Sequence, residues 1–354
     1  MAWTQIYTVA IDRTKCGSGS LSNFPVLIAA THTSLKSTAH GGDVTDTTHG
    51  YDIVVYADDG TLSNYVPWEV EFWDAVNGVI WIWAGLPTVN GSSTGANTTF
   101  VVAWGNSAIT TQQNTGSFAP ANVWDSFFKM VLHFGSPAGT LSLNDSTSNG
   151  NNAHNPSPGS NFLGAQQIDG CLFANSSGGL QILSPSNFPS GADVFTMSCW
   201  FDCTNAGGTK YAFAIGAGTG TNHAMTINGT SGGVRGGLFG NELVTPGVEF
   251  VINHVVCSYD GTQQHVYRNG VEVSGSPNTQ TSNIDQSFGS SIASSLDGNV
   301  DEARVSKGIA RSADWILTEY NNQKSPGNIG SPDFLIWTGG ASVSTNQPQM
   351  FVMT

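Results

Sequence analysis

The chain of 354 residues is long enough for two domains, yet only 10% of it is Asp, Glu, Lys or Arg, against about 25% in an ordinary soluble domain. Its net charge of −14, with 11 basic residues scattered singly, excludes the clustered Lys and Arg of a phosphate-binding surface, so no nucleic-acid partner is expected. No apolar run approaches the roughly 18–20 residues of a membrane span, and no basic amphipathic stretch offers a membrane-surface site.

Polarity comes instead from Ser, Thr, Asn and 43 glycines, which are poor helix formers and good turn formers. With β-branched and aromatic residues filling much of the remainder, an all-β fold of many short strands is expected. The opening Met1-Ala-Trp-Thr-Gln-Ile-Tyr7 has neither a basic nor an apolar leader segment, so no secretory signal is expected. The composition nevertheless suits a virion or extracellular surface. Release by lysis, as for a bacteriophage structural protein, reconciles the two; a chain already trimmed of its leader would look the same.

Residues 1–125 read as strands and turns. Tyr7, Val9 and Ile11 alternate with Ile6, Thr8 and Ala10, Phe24 to Ala30 is a buried run, and Tyr51–Tyr56 ends at Asp58-Asp-Gly60. Trp68–Trp73 and Val79–Ala84 flank Asn77-Gly78, a hairpin signal because both turn positions favour φ > 0. Thr98–Trp104 is a further strand. Leu21-Ser-Asn-Phe-Pro-Val-Leu-Ile28, Tyr51–Asp59, Trp68-Glu-Val-Glu71, Trp81-Ile-Trp83 and Ala103-Trp-Gly-Asn106 together resemble DUF2341, a domain of bacterial and phage surface proteins without assigned chemistry.

Around Val123–Phe134 the pattern changes. Asp260-Gly261 and Asn269-Gly270 turn the chain between alternating runs, giving a three-stranded meander. Leu296–Val305, with Val300, Ala303 and Val305 as its apolar positions, resembles the final core strand of laminin G-like domains. Ser312 caps a short helix, Ala313 to Tyr320. The opening loop Asn144–Asn152, the strand Phe195–Phe201, His254–Gly261, Val266–Val273 and the closing Tyr320–Pro326 resemble, in order and spacing, the laminin G-like member of the concanavalin A-like lectin/glucanase folds. The expectation is therefore two consecutive β-sandwich modules: residues 1–125, and residues 126–326 as a concanavalin A-like jelly roll with one short C-terminal helix. Residues 327–354 form a tail with two apolar runs, Phe334–Trp337 and Met350–Met353, that either pack on the second module or dock another subunit.

Candidate chemistry is sparse. Glu69 and Glu71 would share a strand face about 6.5 Å apart, within reach of paired-carboxylate chemistry. Asp74 breaks the alternation, however, and a solvated strand face is the favoured reading. The five cysteines, Cys16, Cys171, Cys199, Cys203 and Cys257, lack zinc-like pairing and read as buried small hydrophobes, with a Cys199–Cys203 disulfide as an awkward alternative. Asp297–Glu302 is not an EF-hand, since Glu302 and Gly308 stand where Gly and Glu are required. The laminin G-like resemblance implies calcium as a candidate cofactor, with Asp145, Asn149 and Asp301 as ligands, against a metal-free turn. Asn222, His223 and Arg235 in polar loops are candidates for ligand binding. No His-Glu-x-x-His and no phosphate-binding glycine loop occurs.

The function expected is non-enzymatic: a virion or cell-surface structural or adhesion protein, such as a bacteriophage decoration, fibre or tail component. It would bind a glycan or neighbouring subunits, as a homo-oligomer or within a larger assembly. The alternatives are a secreted glycan-active enzyme or its accessory module, and a purely architectural protein with no ligand.

Overall fold

Alternation along the first strand carries over directly into burial, with Tyr7, Val9 and Ile11 buried. The structure, a computed structural model, describes residues 3–135, 139–165, 167–175, 177–204, 208, 210–216, 224–230, 233–246, 250–279, 281–286 and 289–340. Six strands belong to the first module: β1 (Gln5–Ile11), β2 (Leu21–Thr31), β3 (Val54–Ala57), β4 (Trp68–Asp74), β5 (Val79–Val89) and β6 (Thr99–Trp104). Fifteen follow in the second: β7 (Phe128–Leu132), β8 (Asn161–Ala165), β9 (Gly170–Ala174), β10 (Leu180–Ile182), β11 (Phe195–Phe201), β12 (Lys210–Gly216), β13 (Ala224–Thr230), β14 (Gly233–Leu238), β15 (Leu243–Thr245), β16 (Asn253–Tyr259), β17 (Gln263–Arg268), β18 (Val271–Glu272), β19 (Asn278–Thr279), β20 (Ser290–Ile292) and β21 (Gly298–Lys307). The helix α1 (Ala313–Lys324) and the strand β22 (Leu335–Gly339) complete the described chain.

In the first module a sheet ordered β22-β1-β6-β3 faces a sheet ordered β2-β5-β4, over a core that includes Val9, Ile11, Val26, Ile28, Val54, Ile82, Phe100 and Val102. The hairpin signal at Asn77-Gly78 is realised: β4 pairs antiparallel with β5, and Gly78 takes φ 72°. Asp74 accepts hydrogen bonds from the Val76 and Asn77 amides, so it interrupts the acidic alternation because it closes the turn.

The second module stacks the sheet β10-β20-β12-β13-β14-β15 on a larger one ordered β18-β17-β16-β11-β21-β9-β8, with β19 on β17 and β7 on β21. The β16–β17–β18 meander matches expectation. The sheets approach closely at Gly236 of β14, where an added Cβ would lie 2.6 Å from Cys257 Sγ of β16 and 2.9 Å from Val266. Sulfur has taken the room that a side chain would need. All five cysteines are buried; burial pushes the Cys16 thiol up to about 12 and the Cys171, Cys199 and Cys257 thiols up as well, which leaves those four inert.

Two elements join the modules. Ser312 caps α1 by accepting from Trp315 N, and the helix runs one turn beyond Tyr320. It lies against β2, the edge of its sheet: Asn322 Oδ1 accepts from Leu27 N at 2.7 Å and Asn322 Nδ2 donates to Leu27 O at 3.0 Å, as a neighbouring strand would. Trp315 packs edge-on against Phe24 at 4.8 Å. The second element corrects the reading of the tail. β22 adds to the first module's sheet, pairing with β1 from Tyr7↔Gly339 to Ile11↔Leu335, and Phe334 and Leu335 are fully buried. Its apolar run thus fills the open edge of β1, rather than packing on the second module or docking a subunit. The run Met350–Met353 lies outside the described residues.

Candidate functional site

The two sheets that face each other across the module boundary carry charge there. Opposite β5, the register of β4 runs Glu69↔Trp83, Val70↔Ile82 and then Phe72↔Trp81, so Glu71 is the extra residue of a bulge. Bulges re-aim side chains. Both carboxylates end beside one imidazole, His133, just after β7: Glu69 Oε2 lies 3.6 Å from Nε2 and Glu71 Oε2 lies 3.7 Å from Nδ1. Trp83 Nε1 donates to Glu71 Oε2 at 2.7 Å, Trp124 Nε1 to Glu69 Oε2 at 2.9 Å, and Ser146 Oγ to Glu69 Oε1 at 2.6 Å. The expectation of a solvated face is corrected here. The Glu71 side chain is only 3% exposed, because the outer face of its sheet is covered by the second module. Glu69 keeps 16% exposure and lines a cleft of about 280 Å³ with His49, Tyr51, Gln112 and Asn114.

From the other side comes β21. Its register against β11 shifts between Ser198 and Trp200, Glu302 takes φ 52°, and the neighbours Asp301 and Glu302 are both buried. Glu302 Oε1 stands 2.7 Å from His133 Nδ1, and Glu302 Oε2 accepts from Arg304 Nη2 at 2.5 Å. Arg304 Nη1 donates to Glu319 Oε1 of α1 at 2.7 Å. The same guanidinium lies over the Trp83 and Trp124 rings, at 4.4 and 5.0 Å. Arg304 therefore touches β4's hairpin partner, β21's bulge and α1 at once.

Burial alone would depress the His133 ring, but Glu302 and Glu71 outweigh it and hold it well above the ordinary imidazole range. Burial would raise Glu302, yet His133 and Arg304 hold it low. Glu71, where burial dominates over His133, is pushed well up, as is Asp301. Asp169, raised to about 7 by burial and by Glu302, has neither carboxylate oxygen hydrogen-bonded. The site is a buried acid-rich layer around the Arg304 guanidinium and the His133 ring.

The layer continues through Gln323, which accepts from Trp200 Nε1 at 2.5 Å, to His254, packed against Trp200 and Tyr320 and 3.9 Å from Glu319. Burial, with help from Arg304, depresses the His254 ring from 6.5 to about 3 despite Glu302. The unfolded chain therefore binds a proton that the folded one refuses between these values. The stability this group contributes is complete above pH 6.5 and is lost as pH falls toward 3, by up to about 1.4 kcal/mol per pH unit. Urea titrations across that window should show a steeper acid loss for wild type than for His254→Phe. Equal slopes would remove His254 from the acid response.

Of the residues singled out for calcium, Asp145 and Asn149 meet at Thr147 Oγ1, and Asp301 is engaged elsewhere. Asp145 Oδ1 accepts from the Val131 and Thr147 amides, and Oδ2 accepts from Thr147 Oγ1 and Asn151 N. Asn149 Nδ2 donates to Phe128 O. Both tie their loop to β7 and its approach. Asp301 is fully buried and accepts instead from Ile168 N at 2.9 Å, so among the described residues it shares no hydrogen-bond partner with the other two. Arg235, expected in a polar loop, stands within β14, between Asn228 and Val244. Asn222 and His223 lie outside the described residues. Sequence reasoning missed His133, Glu302, Arg304 and Glu319. One sign was present: the apolar positions Val300 and Ala303 are three apart, and that break in the period of two is the bulge.

Residues 174–317 match the family described as the concanavalin A-like lectin/glucanases superfamily. The second module thus has a lectin-type fold of this kind, and the match begins at the end of β9 and ends within α1. No curated protein matches the chain. Among solved structures, the chain is similar to domain 4 of AbnA, an extracellular arabinanase from Geobacillus stearothermophilus in complex with arabinotriose, at 18% identity and TM-score 0.43, covering 54% of this chain and 96% of that one. It is similar to the receptor-binding domain of botulinum neurotoxin D at 9% identity and TM-score 0.42, covering 56% and 53%. It is also similar to a sialidase of Trypanosoma rangeli at 15% identity and TM-score 0.40, covering 56% of this chain and a third (33%) of that one.

Proposed function

We propose that the protein is a non-catalytic surface or virion component that adheres through its lectin-like second module to a glycan or a neighbouring subunit. One observation carries the non-catalytic part. Glycosidic cleavage by two carboxylates needs both to flank a bound sugar. Here Glu69 lines a cleft while Glu71 is sealed behind it, tied to Trp83 and His133. The arrangement is that of a module junction. Glycan binding is supported by the fold of residues 174–317, and that support is one of fold analogy. The likeness of residues 1–125 to DUF2341 fits the same surface setting, as do the scarcity of Lys and the wealth of Gly, Ser and Thr.

The test is binding of labelled full-length protein to a panel of bacterial polysaccharides, with calcium and with chelator. Saturable binding to a few members is expected. Absence of binding in both conditions would overturn the glycan reading and favour subunit docking. Hydrolysis of any panel member that Glu71→Gln abolishes would overturn the non-catalytic one.

A further inference from the structure

We propose that Glu71, His133 and Glu302 bind one divalent transition-metal ion, Zn²⁺ by the nature of the donors, which staples the first module to the second. The three residues come from β4, from the segment after β7 and from β21, and one ligand atom of each lies within 4.8 Å of the others. His133 Nδ1 stands 2.7 Å from Glu302 Oε1 and 3.7 Å from Glu71 Oε2. Two donors on one tetrahedral zinc are about 3.3 Å apart, so these separations bracket the requirement. An imidazole nitrogen with two carboxylates suits Zn²⁺ and its first-row neighbours better than Ca²⁺ or Mg²⁺, which take oxygen.

The surroundings have the character of a second shell. Trp83 orients Glu71, Arg304 holds the far oxygen of Glu302, and Trp83 stacks on His133 at 5.7 Å. An independent observation supports a cation at this place. Asp169, next to Ile168, whose amide bonds Asp301 beside Glu302, is 7% exposed, and neither of its carboxylate oxygens has a hydrogen-bond partner among the described residues. Glu71 Oε1 and Asp301 Oδ1 are likewise buried without partners. Buried acceptors left in this state cost free energy, and a dication in their midst would satisfy them together.

The full-length protein, freed of metal by chelator and dialysed, is titrated with Zn²⁺ and with Co²⁺ as a coloured substitute. Uptake of one equivalent is expected, with visible ligand-field bands for Co²⁺ and quenching of tryptophan fluorescence from Trp83 and Trp124. The melting temperature should rise with Zn²⁺ in the wild type and in Glu69→Gln, and stay unmoved in Glu71→Gln. Should Glu71→Gln fail to fold, the wild-type titration decides alone. Substoichiometric uptake by the wild type, or equal uptake by a folded Glu71→Gln, would overturn the proposal.

Discussion

Replacing Arg304 by alanine is expected to destabilise the protein by about 3–5 kcal/mol, the cost of leaving buried carboxylates without their cation. Its guanidinium holds Glu302 of β21 and Glu319 of α1, and its face covers Trp83 and Trp124 of the first module. After truncation Glu302 keeps His133, but Glu319 keeps Gln323 Nε2 at 3.4 Å, a distant His254 and the charge of Arg311. Burial already raises Glu319 despite Arg304, so it would take up a proton in the variant. The modules should also part more readily, exposing the chain near Asp125 to protease. Urea unfolding followed by tryptophan fluorescence measures the first effect, and limited proteolysis the second. A loss under about 1 kcal/mol would mean that the layer relaxes or hydrates without its arginine. Arg304→Lys should recover little, because one ammonium cannot span both carboxylates in the same plane.

Ending the chain at Pro332 is expected to melt the first module, not to change the size of an assembly. The deletion removes Phe334 and Leu335, both fully buried. At about 1.5–3 kcal/mol for each buried side chain, their loss amounts to several kcal/mol. It also removes the β22 ladder from β1, the contact of Trp337 with Tyr7, and the ion pair of Asp333 with Lys15. An exposed β1 edge then invites aggregation. Calorimetry should show an early transition for the truncated protein, and light scattering should show growth on warming. An unchanged melt together with a smaller discrete particle would restore the tail to an assembly role.

Local chemistry made much of the fold legible. Asp260-Gly261 and Asn269-Gly270 place the meander, Asn77-Gly78 the β4–β5 hairpin, and Ser312 the start of α1. Each acts within a few residues, where backbone conformations and period-two alternation decide the outcome. The candidate site was legible only as the pair Glu69 and Glu71, and with the wrong surroundings. Alternation says that Glu302 and Arg304 leave the core of their own sandwich; it does not say whether they meet water. They meet the first module and α1, 169 residues separating His133 from Glu302.

The sequence by itself determined an all-β chain, its turns, its capped helix and the lectin-type pattern of the second module. The tertiary structure alone decided that the polar faces of β4 and β21 turn toward each other and that β22 completes the sheet of β1. The physical reason is that burial of charge depends on what covers a face, and that cover arrives from residues hundreds of positions away in the chain.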